Sequence, residues 1–178
     1  MQLIAALSDL CNRNPRPIIA IDGPAGAGKT TLAKEIFLAL SLNFSVTVIH
    51  MDDLYDGWEN ALTADLTLVL QRIVKDHQML QPIKIRRYNW ADESFGEIEL
   101  IESTDLLILE GVGSGDSAIQ DQLAVLIWID IEPEIGVKRA IERDGPELAA
   151  QLEKWLGTQM QYFLQHSTRE KADFVLTT

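Results

Sequence analysis

The run Gly23-Pro24-Ala25-Gly26-Ala27-Gly28-Lys29-Thr30 fits G-x-x-x-x-G-K-[ST] without a mismatch. The chemistry of that pattern is the holding of a triphosphate. Glycines let the backbone wrap around phosphate oxygens with its N–H groups turned inward. A helix start adds partial positive charge at the same place. Lys29 is placed to reach the β- and γ-phosphates, and the Thr30 hydroxyl to sit on Mg²⁺. With Thr31 at the head of the following helix, residues 23–31 form the expected ATP-binding set. A plain glycine-rich turn needs no Lys-Thr pair at this offset. The motif leaves the reaction open, because kinases, GTPases, motor ATPases and adaptors all hold triphosphates.

Other residue types supply the rest of a phosphoryl transfer. Asp52 and Asp53 follow a β-branched run. Transfer to an alcohol needs a positioned carboxylate to accept the hydroxyl proton. Asp52, nearer the strand end, is the expected base, and Asp53 is expected beside Mg²⁺ through water or on the acceptor. An Asp pair capping a turn is the plain alternative. Glu110 ends the apolar run Leu106-Leu107-Ile108-Leu109 and is placed for water-mediated contact with Mg²⁺. The alternative is a strand that simply leaves the core on an acidic residue. Arg139 and Arg143, four apart, share a helix face and could close over phosphates, or else lie solvated against Glu142 or Glu134. Tyr55, Trp58, Tyr88 and Trp90 fall in loops or at strand ends. They could stack on a flat substrate, although edge packing is the commoner role. Asn89 and Asp92 could bond sugar hydroxyls. His50, His77 and His166 show no metal-ligand spacing.

These residues need elements to position them. Residues 17–22 read as a buried strand and 31–40 as a helix, which is the context the phosphate motif requires. Leu3, Ile4, Leu7, Leu10 and Cys11 predict an amphipathic helix over 2–12. A second strand is expected over 44–50, a loop over 52–60, a helix over 64–76, and a short strand or extended segment over 83–88. Residues 105–110 and 123–130 are continuous apolar runs, as in strands covered on both faces. A short helix over 134–143 follows. Pro146 suits the first turn of the next helix, and residues 173–177 form a last strand. Strands alternating with helices predict an α/β fold with a parallel sheet and helices on both faces. In such folds ligands sit at the carboxyl ends of the strands. The candidate residues follow strand ends and so are expected in one cleft.

The whole chain narrows the classes. Its 178 residues, 47% apolar and 24% charged, suit one soluble domain. That domain is expected to span 1–178, with a helix and turn over 1–16 and a lid-like segment near 134–147. No stretch is long enough to span a bilayer, and the N-terminus lacks a secretory pattern. A net charge of −12 argues against nucleic acid or an anionic membrane as main partner, while self-association as a homo-oligomer stays open. Cys11 is the single cysteine, so a cytoplasmic address is the simplest expectation.

Ile21 to Ala33 resembles the opening of the uridine kinase and phosphoribulokinase-like P-loop kinases, and also that of cytidylate kinase. Asp52-Asp53-Leu54-Tyr55 is similar to the family's D-x-[FL]-Y segment, whose first Asp is the catalytic base. Arg87-Tyr88-Asn89-Trp90 resembles its Y-D-[FW] element, Leu109-Glu110-Gly111 its h-E-G strand end, and Arg139 with Arg143-Asp144 its lid R-x-x-x-R-D. Ala172-Asp173-Phe174-Val175 matches the last strand. The resemblance implies a P-loop NTPase three-layer sandwich and Mg²⁺-dependent transfer from ATP to a hydroxyl of a small metabolite, first a nucleoside. It also implies Lys29, Asp52, Arg139 and Arg143 as catalytic residues, with Asp53, Tyr55, Tyr88 and Trp90 on the acceptor and Thr30 and Glu110 on the metal. Asn89 stands where the family has Asp. Ala91-Asp92-Glu93-Ser94 replaces the usual His and Arg, and Asp144-Gly145-Pro146-Glu147 is acidic where the lid has a second basic cluster. The chain therefore reads as a divergent member. A cytidylate-type monophosphate kinase, whose pocket needs extra Arg, is one alternative. A nucleotide switch or adaptor without a small acceptor is the other.

Overall fold

Unbroken apolar runs become strands buried on both faces. In the computed structural model, which describes residues 2–178 and leaves Met1 outside the described residues, β1 (Ile18–Asp22) and β5 (Leu106–Glu110) are buried along their whole length. β6 (Val125–Asp130) is buried up to its last residue. With β2 (Val46–His50) and β7 (Phe174–Thr177) they form a five-stranded sheet in the order β2-β5-β1-β6-β7, parallel throughout.

Alternate residues of these strands feed two cores. Leu106, Ile108, Ile19 and Ile21 pack against Leu7 and Cys11 of α1 (Gln2–Arg13) and Ile36 and Leu40 of α2 (Lys29–Leu40). Leu107, Leu109 and Ile18 pack on the opposite face against Leu70 and Ile73 of α3 (Ala64–Gln78) and Trp155 and Phe163 of α5 (Ala149–His166). The result is the three-layer α/β/α sandwich that the strand–helix alternation predicts. α4 (Pro133–Asp144) follows β6 and lies on α5, and the short α6 (Thr168–Lys171) leads into β7.

Three local expectations are corrected. Residues 51–53 form a 3₁₀ turn rather than plain loop. Pro146 heads a 3₁₀ turn over Pro146–Leu148, and α5 begins only after it. Residues 83–89 do form a strand, β3 (Ile83–Asn89), but it stays out of the main sheet. It pairs antiparallel with β4 (Ser94–Ile101), for which the sequence gives little sign. β4 has no fully buried residue, so it lacks the apolar face that reveals a strand. Its stability comes from β3: Arg86 Nε donates to the Gly96 carbonyl at 2.9 Å and Tyr88 stacks edge-on against Phe95.

Candidate active site

The phosphate loop runs from the end of β1, the central strand, into α2. Asp22, fully buried, holds its base: the carboxylate accepts the amides of Gly23 at 2.7 Å, Gly113 at 3.1 Å and Gly115 at 2.8 Å. Burial pushes this carboxyl up to about 6, against the pull of those amides and of Lys29. At the front of the loop, Gly26 has φ +74 and packs against α4 so closely that a Cβ there would lie 2.0 Å from the Gly136 carbonyl oxygen. Lys29, buried, donates to the Pro24 carbonyl at 2.8 Å. Burial lowers its pKa, while Asp22, Glu110 and Asp52 raise it. The ammonium thus sits among three carboxylates at the point where a phosphate would add further negative charge.

Beside the loop, the parallel register sets His50 and Ile21 on either side of Glu110. Glu110 Oε1 accepts the Thr30 hydroxyl at 3.0 Å, and Oε2 lies 2.6 Å from His50 Nδ1. Glu110 raises the imidazole pKa through that bond. Gly111 has φ +133, and a Cβ there would meet the Met51 Cβ at 2.6 Å. Only glycine therefore lets the end of β5 come this close to the turn that carries Asp52. Asp52 opens onto the cleft yet is walled by protein. Burial raises its pKa, Glu110 and Asp53 add to the effect, and Lys29 and Arg143 oppose it. A carboxylate tuned upward is a better proton acceptor for an alcohol. Among the described residues no group of three or more His, Cys, Asp or Glu could cage a metal. Hydroxyl and carboxylate oxygens, as on Thr30 and Glu110, suit Mg²⁺, which is commonly held by one or two protein ligands plus substrate phosphates.

Opposite the loop stands an aromatic wall. Trp58 meets Trp90 at 5.2 Å and Trp155 at 6.0 Å between ring centroids, Tyr88 meets Trp90 at 5.1 Å, and Tyr55 meets Trp155 at 5.5 Å. Tyr55 is buried and its hydroxyl donates to the Val112 carbonyl at 2.6 Å, so its ring and not its oxygen is on offer. The β3–β4 hairpin is tied to the Asp52 turn twice. Trp90 Nε1 donates to the Asp52 carbonyl at 3.1 Å, and Arg87 pairs with Asp53 and, at 3.0 Å, with Glu99. Asp53 is thereby engaged with the hairpin. Wall, loop, Asp52, Glu110, Arg139 and Arg143 line one cleft of about 1620 Å³, larger than a single-ligand pocket and roomy enough for a nucleotide with an acceptor. Gly136 seats α4 on the phosphate loop, and Arg139 and Arg143 follow it by three and seven residues, on the same side of α4. Arg143 is chelated by Asp144 at 2.6 and 2.7 Å, and Arg139 reaches the Thr178 hydroxyl at 3.4 Å.

Lys29, Thr30, Asp52, Tyr55, Tyr88, Trp90, Glu110, Arg139 and Arg143 are thus brought to one cleft, whereas Asp53 does not line it and pairs with Arg87 instead. Sequence reasoning missed the Glu110–His50 pair, the buried anchor Asp22, and Trp155, whose apolar helix position reads as core. Adjacent strand ends were the available signal for the first. It also missed Asp116, fully buried, whose Oδ2 accepts the Thr67 and Tyr162 hydroxyls, each at 2.6 Å, behind the wall.

Comparison with known proteins agrees with this geometry. Residues 59–163, more than half the chain, match the model of the Phosphoribulokinase / Uridine kinase family. The match covers Tyr88, Trp90 and Trp155 of the wall, Glu110, α4 and α5 as far as Phe163; Tyr55, Trp58, Asp52 and the phosphate loop lie before it, and the loop identifies itself by its own motif. The chain is 25% identical over 189 residues to the uridine kinase of Ligilactobacillus salivarius, covering 94% of this chain and 88% of that one. It is 27% identical over 183 residues to the uridine kinase of Halobacterium salinarum, covering 91% and 80%. Its fold matches the solved structure described as a possible uridine kinase from Bacillus stearothermophilus with a TM-score of 0.68, at 18% identity over 99% of this chain and 100% of the other. The chain belongs to the phosphoribulokinase/uridine kinase family and is an ATP-dependent phosphotransferase.

Proposed function

We propose that the protein transfers the γ-phosphoryl group of ATP to a hydroxyl of an unphosphorylated acceptor with a flat ring, a nucleoside first. The observation that carries this reading is the character of the acceptor side. Its aromatic rings are interspersed with Asp56, Glu59 and Glu93. Of the basic residues lining the cleft, Lys29, Arg139 and Arg143 belong to the triphosphate side, and only Lys154 remains. A monophosphate would meet carboxylates where it needs arginines. A neutral ring system would meet faces and edges to stack on.

In this reading the backbone N–H groups of Gly26, Gly28, Lys29, Thr30 and Thr31, together with the Lys29 ammonium, hold the triphosphate, with Arg139 and Arg143 closing over it. Thr30 and Glu110 would hold Mg²⁺, which offsets phosphate charge when bound. Asp52 accepts the proton of the acceptor hydroxyl as its oxygen attacks phosphorus. Tyr55, Tyr88 and Trp90 wall the acceptor, and Asp53 fixes the hairpin that carries two of them. The test is ADP release from Mg-ATP with a panel of nucleosides, nucleoside monophosphates, sugars and other alcohols, against a Lys29→Ala control that should be inactive. Release with nucleosides supports the reading, and release with monophosphates alone overturns it. ATP binding with no release for any acceptor would favour a nucleotide switch instead.

A further inference from the structure

The acceptor side of the cleft carries negative charge that an uncharged acceptor would leave unanswered. Asp56, Glu59 and Glu93 line it among the aromatic rings. Nearby carboxylates are matched with cations: Arg87 pairs with Asp53 and Glu99, and Arg143 with Asp144. Glu59 and Glu93 have no such partner among the described residues, and Asp56 has only the Asn60 amide at 3.4 Å. Lys154 on α5 offsets one of the three charges. Two of these carboxylates are within electrostatic reach of one wall residue. Desolvation raises the Tyr88 pKa, and the charges of Glu93 and Asp56 raise it further. The Tyr88 hydroxyl lies beside Gly57, where a Cβ would meet it at 3.2 Å.

The rings favour the same kind of ligand. The planes of Trp58 and Trp90 meet at 60°, those of Tyr88 and Trp90 at 76°, and those of Trp58 and Trp155 at 77°. Neighbours so inclined stand like the walls of a box and do not form the parallel pair that sandwiches a neutral base. The face of an aromatic ring is negative, so rings and carboxylates together attract a cation. We infer that the acceptor is a nucleoside whose ring carries a fixed positive charge, held by Trp58, Tyr88 and Trp90 with Asp56 and Glu93 as counter-charges. The inference rests on the reading that this cleft takes an unphosphorylated acceptor with a flat ring, and it adds the charge of that ring.

N-ribosylpyridinium and its carbon isostere ribosylbenzene separate charge from shape, because they differ only in the ring atom that joins the sugar. kcat/KM for each is measured by ADP release from Mg-ATP, with the parent and with Asp56→Asn/Glu93→Gln. The parent should prefer the pyridinium by about tenfold or more, as expected for a partly desolvated cation–π contact beside carboxylates. The double variant should cut that preference to about threefold or less, and raising the salt to about 0.5 M should reduce it in the parent. Equal use of the two isosteres, or preference for the neutral one, overturns the inference and leaves the nucleoside reading in place. A preference that the double variant retains overturns the role of the carboxylates and the inference with it. Should the double variant not fold, Asp56→Asn alone gives the same ratio test with a smaller fall expected. Turnover of neither riboside, while a sugar or another alcohol is phosphorylated, overturns the nucleoside reading itself.

Discussion

Lys29 and Asp52 make opposite demands on the same small volume, and each tunes the other. The ammonium is lowered by burial but held up by Asp22, Glu110 and Asp52. The Asp52 carboxyl is raised by burial and restrained by Lys29 and Arg143. Removing the Asp52 charge should therefore leave triphosphate binding intact and remove the proton acceptor. Asp52→Asn is expected to lower kcat by about 10²–10⁴-fold, with ATP affinity within about twofold of the parent. Single-turnover transfer alongside nucleotide titration checks both halves, and near-parental transfer would falsify the assignment of Asp52 as base. At this scale the sequence spoke clearly wherever chemistry is local. Lys29 and Thr30 stand in one contiguous motif, and Asp52 and Glu110 end apolar runs. It was silent on His50 against Glu110 and on Gln159 against Ala25. Those pairs join residues 60 and 134 positions apart, and only strand register and helix docking bring them together.

Element by element, the catalytic parts are held by contacts between backbones. α4 seats on the phosphate loop through Gly26 and Gly136, with a Cβ on either one closer than 3 Å to the other segment. Gly28 offers a built-in comparison: its φ is +92, but nothing lies within 4 Å of a Cβ placed there. Gly26→Ala and Gly28→Ala share the cost of a left-handed backbone, about 1–3 kcal/mol, and only Gly26→Ala must also push α4 away. Melting without nucleotide should place Gly26→Ala clearly below Gly28→Ala, and equal melting temperatures would show that α4 does not depend on this seat. Most elements were legible because their apolar residues repeat with the period of the structure they form. β4 was not, because Glu97-Ile98-Glu99-Leu100 is exposed on both faces and takes its shape from β3 alone.

Across the molecule as a whole, two buried titratable groups act on folding with opposite sign. Burial, aided by the charge of Arg16, pushes His77 down to about 4 against a weaker opposing pull from the Pro17 and Arg16 backbone. The unfolded chain takes up this proton near 6.5, so the folded state loses stability as pH falls from about 6.5 towards 4, by about 1.4 kcal/mol per unit at most. Asp22, raised to about 6, works the other way by binding its proton first in the folded state. Replacing His77 isolates its share. Relative to a His77→Phe variant, the parent should lose about 2–3 kcal/mol between pH 7.5 and 4.5, because packing costs and the Asp22 contribution cancel in the comparison. Denaturant melts of both proteins at the two pH values check this, and parallel losses would mean that His77 is not neutral in the fold. The hairpin of β3 and β4 has a different kind of consequence. It supplies Tyr88, Trp90 and Glu93 to the cleft and no strand to the five-stranded sheet, and it is moored to the Asp52 turn by Arg87 and Trp90. It is in effect a graftable cassette. A different hairpin that keeps those two moorings could retarget the enzyme to a new acceptor and leave the ATP machinery as inherited.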